Sequence, residues 1–275
     1  MSRTRKQSAS RQAGRPQPRG APAGDAVGAG PPRESQDGRE SPGGRVRSLD
    51  KRAAPGAPSD RFKEAARSQF DDWAVWYDRT ILNELVFFPS IRACQEELAR
   101  WKLGRTPAPY RVLDVGCGTG SLLALLSRDP AAESLVGLDF SREMLRGAAG
   151  KFALLPASER LFAVNGDAER LPFVDGAFDF LTCCNSFHHY PHQQRALCEF
   201  RRVLRPGGRL VLIDGFRDNL LGYVIFEIGV KLAERHIRHA RAAELRAMLR
   251  NAGFASVTQR KLNVLAPLLV NVAAA

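Results

Sequence analysis

From Arg111 to Asp214 the chain repeats one pattern: a short apolar run, a turn, then a helical stretch. The apolar runs are Arg111–Val115, Leu135–Asp139, Leu161–Asn165, Phe178–Cys184 and Arg209–Asp214. Helical candidates between them include Ser121–Arg128, Arg142–Lys151 and Gln193–Leu204. This alternation leaves few architectures open, because parallel strands need long crossovers and the crossover helices cover both faces of the sheet. A last helix over Ala240–Asn251, closed by Gly253, precedes two more apolar runs, Ala255–Leu262 and Leu265–Val272. Those two suit an antiparallel pair at the sheet edge. The expected fold is α/β: a doubly wound, mostly parallel seven-stranded sheet with an antiparallel C-terminal edge.

The front of the chain is different in kind. Residues 1–60 hold 8 Pro and 9 Gly, no aromatic residue, and few large aliphatics beyond Val27, Val46 and Leu49. Such a segment cannot bury enough apolar surface to offset its ordering entropy, so a disordered basic tail is expected there. The net charge of +12 is concentrated here, with +8 on residues 1–69 and only +4 on the rest. The tail's arginines suit either loose attraction to nucleic acid or an anionic surface, or a merely solvated extension. A transit peptide is a weaker reading, since no apolar stripe runs through the first 24 residues. No stable nucleic-acid complex is expected.

Residues 61–105 read as an N-terminal helical cap, with Pro89 interrupting an aromatic-rich stretch and a second helix running from Ile91 to Leu103. The remainder, 106–275, reads as the main domain, with a lid at about 216–239 around the apolar run Leu220–Leu232. At 13 residues that run is shorter than the 18 or so a bilayer span requires. Five cysteines without a C-x-x-C pair suit neither a disulfide framework nor a zinc ribbon, and the arginine-bearing N-terminus, without a hydrophobic stretch, does not read as a secretory signal. A cytoplasmic, reducing location is the expectation. Oligomeric state is not legible.

The chemistry centres on Val112-Leu113-Asp114-Val115-Gly116-Cys117-Gly118-Thr119-Gly120, a strand running into a glycine turn that opens a helix. The G-x-G-x-G spacing is not the G-x-G-x-x-G of a dinucleotide fingerprint. It allows close backbone approach to a ligand without pyrophosphate, and Asp114 offers a carboxylate to an ammonium group beside it. Asp139 ends the second strand, where a carboxylate meets ribose hydroxyls, and Asp167 follows the third, placed to accept from an adenine amino group.

At these residues the sequence resembles the class I S-adenosylmethionine-dependent methyltransferases, especially the small-molecule group containing the quinone-biosynthesis C-methyltransferases. The likeness rests on VLDVGCGTG at 112–120, VGLDFSREML at 136–145, NGDAERLPFVDGAFDF at 165–180 and RVLRPGGRLVLID at 202–214. It implies a Rossmann-like sheet and S-adenosylmethionine as cofactor. Asp114, Gly116 and Gly118 would surround its methionine part, Asp139 its ribose, and Asp167 with Ala168 its adenine. Cys117, Gly120, Phe140 and Met144 complete the implied cofactor site, and Asn185 would lie near cofactor and acceptor entrance.

Because a sulfonium methyl group is already activated, the protein needs only to align a nucleophile, exclude water, and supply a base where the nucleophile carries a proton. His188 and His189 are the candidate bases, although one could cap the following helix and the other pack beneath the sheet. His188, His189 and His192 do not have a spacing that converges on one ion, so no metal is expected. Cys183 and Cys184 read as buried small hydrophobes. Trp73, Trp76, Tyr77, Phe187, Tyr190, Tyr223 and Phe226 are the candidate walls of an acceptor pocket. The expected function is methyl transfer to a small, apolar or aromatic acceptor. The alternatives are an RNA or protein methyltransferase anchored by the basic tail, and a catalytically inactive binding protein on the same fold.

Overall fold

The computed structural model describes residues 87–103, 108–216, 239–262 and 268–275. The expected tail at 1–60, most of the cap and nearly all of the lid lie outside the described residues, as do Trp73, Trp76, Tyr77, Tyr223 and Phe226.

Helix α1 spans Phe88–Lys102. The sequence reading began it at Ile91, with Pro89 as an interruption; instead Pro89 sits in its first turn. Its missing N–H costs nothing there, because first-turn amides have no intrahelical acceptor. Ser90, Ala93, Cys94, Glu97, Leu98 and Trp101 are buried, a stripe at the 3.6-residue period. Trp101 anchors it, meeting the Tyr110 and Phe180 rings at 6.1 and 5.9 Å. That contact fixes where the other end of α1, with Ser90 and Cys94, meets the sheet.

The body follows as β1 (Tyr110–Val115), α2 (Ser121–Leu126), β2 (Ala132–Asp139), α3 (Arg142–Ala153), β3 (Leu161–Asn165), β4 (Phe178–Cys184), α4 (Gln193–Val203), β5 (Leu204–Gly215), α5 (Ala242–Asn251), β6 (Ser256–Lys261) and β7 (Leu268–Ala274). Short 3₁₀ turns lie at Ser158–Arg160 and Phe187–His189. The seven strands are ordered β3-β2-β1-β4-β5-β7-β6. The first five run parallel, and β7 pairs antiparallel with both β5 and β6. The edge pair is as expected, but the last strand inserts between β5 and β6 rather than closing the sheet.

Alternation along the strands sends side chains to two cores. Leu113, Val115, Leu181 and Cys183 pack with α4 and α5, whereas Val112, Phe180, Val211 and Ile213 pack with α1, α2 and α3. Both faces are therefore covered, which is why these strands read as continuous apolar runs. Strand order reverses between β1 and β4, and ligands of such sheets bind at the carboxyl ends of the strands beside that reversal. No described helix is long and apolar enough to cross a membrane.

Candidate active site

The loop after β1 is held against β2: the Gly116 and Cys117 amides donate to the Leu138 carbonyl at 2.8 and 3.1 Å. Gly116 has φ +71°, and a Cβ there would lie 2.3 Å from Ser186 Oγ. Gly118 has φ +53°, and a Cβ there would meet nothing within 4 Å. The first glycine is thus demanded by packing as well as conformation, while the second faces open space.

Asp139 ties this loop to α3, with Oδ2 accepting from the Gly118 amide at 2.8 Å and Oδ1 from the Ser141 amide at 2.9 Å. Ser141 in turn caps α3 through Met144 N at 3.2 Å. Each Asp139 oxygen has a second lone pair, and the residue lines a cleft of about 830 Å³ open to solvent. Gly116, Gly118, Phe140, Met144, Asp167, Ala168, Asn185, His189 and Tyr190 share its wall. Asp167 is set by an Asx-type turn, accepting from the Glu169 amide at 2.9 Å.

A second cleft of about 870 Å³ adjoins the first, sharing Gly116, Gly118, Cys184 and Asn185 with it. Asp114 and Cys117 line this one, opposite Phe87, Phe88 and Ile91 at the start of α1. Asp114 is buried and accepts a 2.6 Å hydrogen bond from Thr182 Oγ1. Burial pushes its pKa up to about 7; the Thr182 bond opposes that rise and the charge of Asp139 adds to it. Gly120 lines neither cleft. It enters α2 with φ +74°, and a Cβ there would run into Phe152, so conformation and packing both require this glycine.

Asn185 closes β4 with φ +54°, the one positive φ among described non-glycine residues. Its amide donates to the Ile213 carbonyl at 2.8 Å and its Nδ2 to Ser90 Oγ at 3.1 Å. The two histidines that follow diverge. His189 lines the first cleft, and burial, then the neighbouring His188 and His239, hold its pKa well below the ordinary imidazole value. His188 instead engages the end of β5: its backbone amide donates to Asp214 Oδ2 at 2.8 Å and its Nδ1 lies 2.6 Å from Oδ1. Burial alone would raise the Asp214 pKa, but the His188 charge and hydrogen bond outweigh it, and the carboxyl is held low.

Sequence reasoning missed His239 and the His188–Asp214 pairing. The donor atoms of His188, Asp214 and His239 lie within 4.8 Å of one another, a grouping unlike the His188, His189 and His192 set considered from spacing. Here the His188 and His239 rings stack at 4.6 Å and 21°, and Asp214 already engages Nδ1 of His188. Phe187 corrects another expectation. It is 2% exposed and packs in the core against Tyr190, so only Tyr190 of that pair reaches a cleft.

Comparison with known proteins matches this geometry to a family. Residues 113–212 fit the model described as a methyltransferase domain. The chain is 39% identical over 151 residues to the demethylmenaquinone methyltransferase of Thermus thermophilus, covering 53% of this chain and 63% of that one. It is 32% identical over 149 residues to the uncharacterised methyltransferase YcgJ of Bacillus subtilis, covering 54% and 58%. It thus spans roughly three fifths of these relatives' length. The crystal structure of YcgJ superposes with a TM-score of 0.53 at 28% identity, over 61% of this chain and 70% of that one. The glycine loop after β1, the carboxylates ending β2 and following β3, and the sheet order agree with that match: residues 113–212 form a methyltransferase domain similar to the class I S-adenosylmethionine-dependent enzymes, quinone C-methyltransferases among them.

Proposed function

We propose that the chain transfers the methyl group of S-adenosylmethionine to a small apolar or aromatic acceptor, with His188 as the proton acceptor and Asp214 as its orienting partner. The observation that carries this reading is the meeting of the two clefts at Gly116, Gly118, Cys184 and Asn185, with His189 on the wall of the first and the His188 ring, held by Asp214, 4.0 Å from it. The residues present fit the cofactor. Gly118 leaves room for close backbone approach, and the Asp139 carboxylate lines the first cleft where ribose hydroxyls would lie. Asp167 and Ala168 flank the place for adenine, and Asp114 carries the carboxylate for an ammonium group.

When bound, the cofactor supplies an electrophilic methyl group. The protein's own part is alignment and proton removal. Phe87, Phe88, Ile91 and Leu122 give the second cleft an apolar wall that excludes water from an uncharged acceptor. With Nδ1–H of His188 donated to Asp214, Nε2 is the basic nitrogen, and the imidazolium formed on protonation is stabilised by the carboxylate. His189, whose pKa burial holds well below the ordinary imidazole value, is the weaker base of the two and lines the cleft wall.

A demethylmenaquinone-type quinol is the first acceptor to test, since relatives carrying that name match the domain. Labelled methyl transfer from S-adenosylmethionine to such quinols, and to RNA and protein mixtures, distinguishes the readings. Label in the quinol fraction supports the proposal. Label in RNA or protein alone overturns it, and absence of S-adenosylhomocysteine binding by calorimetry points to an inactive binding protein.

A further inference from the structure

Two thiols outside the proton-transfer machinery face each other where α1 meets the sheet. Cys94 Sγ, on α1, lies 3.2 Å from Cys184 Sγ, at the end of β4, with 90 residues between them in sequence. Cys94 is fully buried, whereas Cys184 is partly exposed and lines both clefts. The next residue, Asn185, donates to Ser90 one turn earlier on α1, so the same corner is held by a hydrogen bond as well. The remaining cysteines are placed differently. Cys117 lines the second cleft with its thiol on the Gly118 carbonyl at 3.6 Å, Cys183 points to the opposite face with Ser186 and Tyr190, and Cys198 is exposed on α4.

We propose that Cys94 and Cys184 form an oxidisable pair, closed to a disulfide by a hydroperoxide, that pins α1 to β4 as a wall of the second cleft. The sulfurs need to approach from 3.2 Å to about 2.05 Å. Cys184, reachable from the clefts, loses its proton and its thiolate attacks a peroxide oxygen. The S–O bond forms as the O–O bond breaks, and the leaving oxygen takes up the proton as water or alcohol. Cys94 then attacks the sulfenic sulfur, the S–S bond forms, the S–O bond breaks, and hydroxide leaves as water with the Cys94 proton. Two thiols lose two electrons and one hydroperoxide gains them. The hydrogen bond with Cys94, then burial, hold the Cys184 thiol up, so thiolate is scarce and the first step is slow at neutral pH.

The test uses the full chain treated with hydrogen peroxide, followed by alkylation, digestion and mass spectrometry. A Cys94–Cys184 linked peptide should accumulate and disappear with dithiothreitol. In parallel the thermal midpoint should rise by roughly 5–10 °C and fall back on reduction. Cys94→Ser should abolish link and shift together, while Cys198→Ser should keep both. Since the linked peptide is read on the unmutated chain, the outcome does not depend on a variant folding. Sulfinic acid at Cys184 with Cys94 still alkylated, a link between other cysteines, or a link without a rise in midpoint would overturn the proposal.

Discussion

The two halves of the sheet's carboxyl edge are built by different means. Beside β1, β2 and β3, carboxylates hold the backbone amides of short loops: Asp139 holds the Gly118 and Ser141 amides, and Asp167 holds the amide two residues on. Beside β4 and β5 the contacts join distant segments: Asn185 with Ser90, His188 with Asp214, Cys184 with Cys94, and the His188 ring with His239. On the proposed reading the first half holds the cofactor. The second depends on how α1 and His239 dock, and acceptor selectivity is proposed to lie there.

The comparison breaks most sharply at the dyad. His188→Ala should lower turnover by about 10²–10⁴-fold, the usual worth of a positioned base, with S-adenosylhomocysteine affinity within twofold of the parent. Steady-state kinetics with calorimetry on the same preparation would check both. Asp214→Asn should lower turnover too and move the acidic limb of its pH profile, because the imidazolium loses its counter-charge. A turnover loss matched by lost cofactor affinity would mean that the two halves are not separable.

On the other half, Asp139→Ala should weaken S-adenosylhomocysteine by roughly 1.5–3 kcal/mol, the range for hydrogen bonds to a charged group. Unchanged affinity in a folded variant would refute the ribose assignment. Asp114 sharpens the same side through pH. Its pKa is raised from 3.8 to about 7, so the folded chain retains a proton that the unfolded chain has released between those values. Stability from this group is present below pH 4 and is lost as pH rises through about 7. Asp114→Asn should flatten that slope in thermal midpoints measured from pH 5 to 8, while weakening binding of a ligand that carries an ammonium group.

The smallest effect is expected where the halves meet. Ser90→Ala removes the hydroxyl that accepts from Asn185 and should cost about 0.5–1.5 kcal/mol of stability in denaturant titration. An accompanying rise in acceptor KM, without change in cofactor affinity, would assign α1 to the acceptor side. A change in cofactor affinity instead would move α1 to the other half.

Much of the cofactor half was legible because its signals are local. A glycine loop between a strand and a helix, and an aspartate at the end of a strand, declare their positions through nearest neighbours and hydrophobic periodicity. Gly120 shows the limit: it shares the motif, yet its conformation serves the entry to α2. Phe187 was read as a pocket wall from adjacency to His188, but a 3₁₀ turn sends successive side chains in different directions and buries it.

By itself the sequence determined the alternation of strands and helices, hence the doubly covered parallel sheet, and the carboxylates at three of its strand ends. Those follow from periods of two and 3.6 residues and from turn chemistry, all short-range. Only the tertiary structure decided that Pro89 opens α1, that β7 enters between β5 and β6, and that His188 pairs with Asp214 beneath His239. These depend on which faces pack together across tens of residues, and burial area rather than local pattern selects them; the dyad and the thiol pair exist because that packing brings remote side chains to one edge.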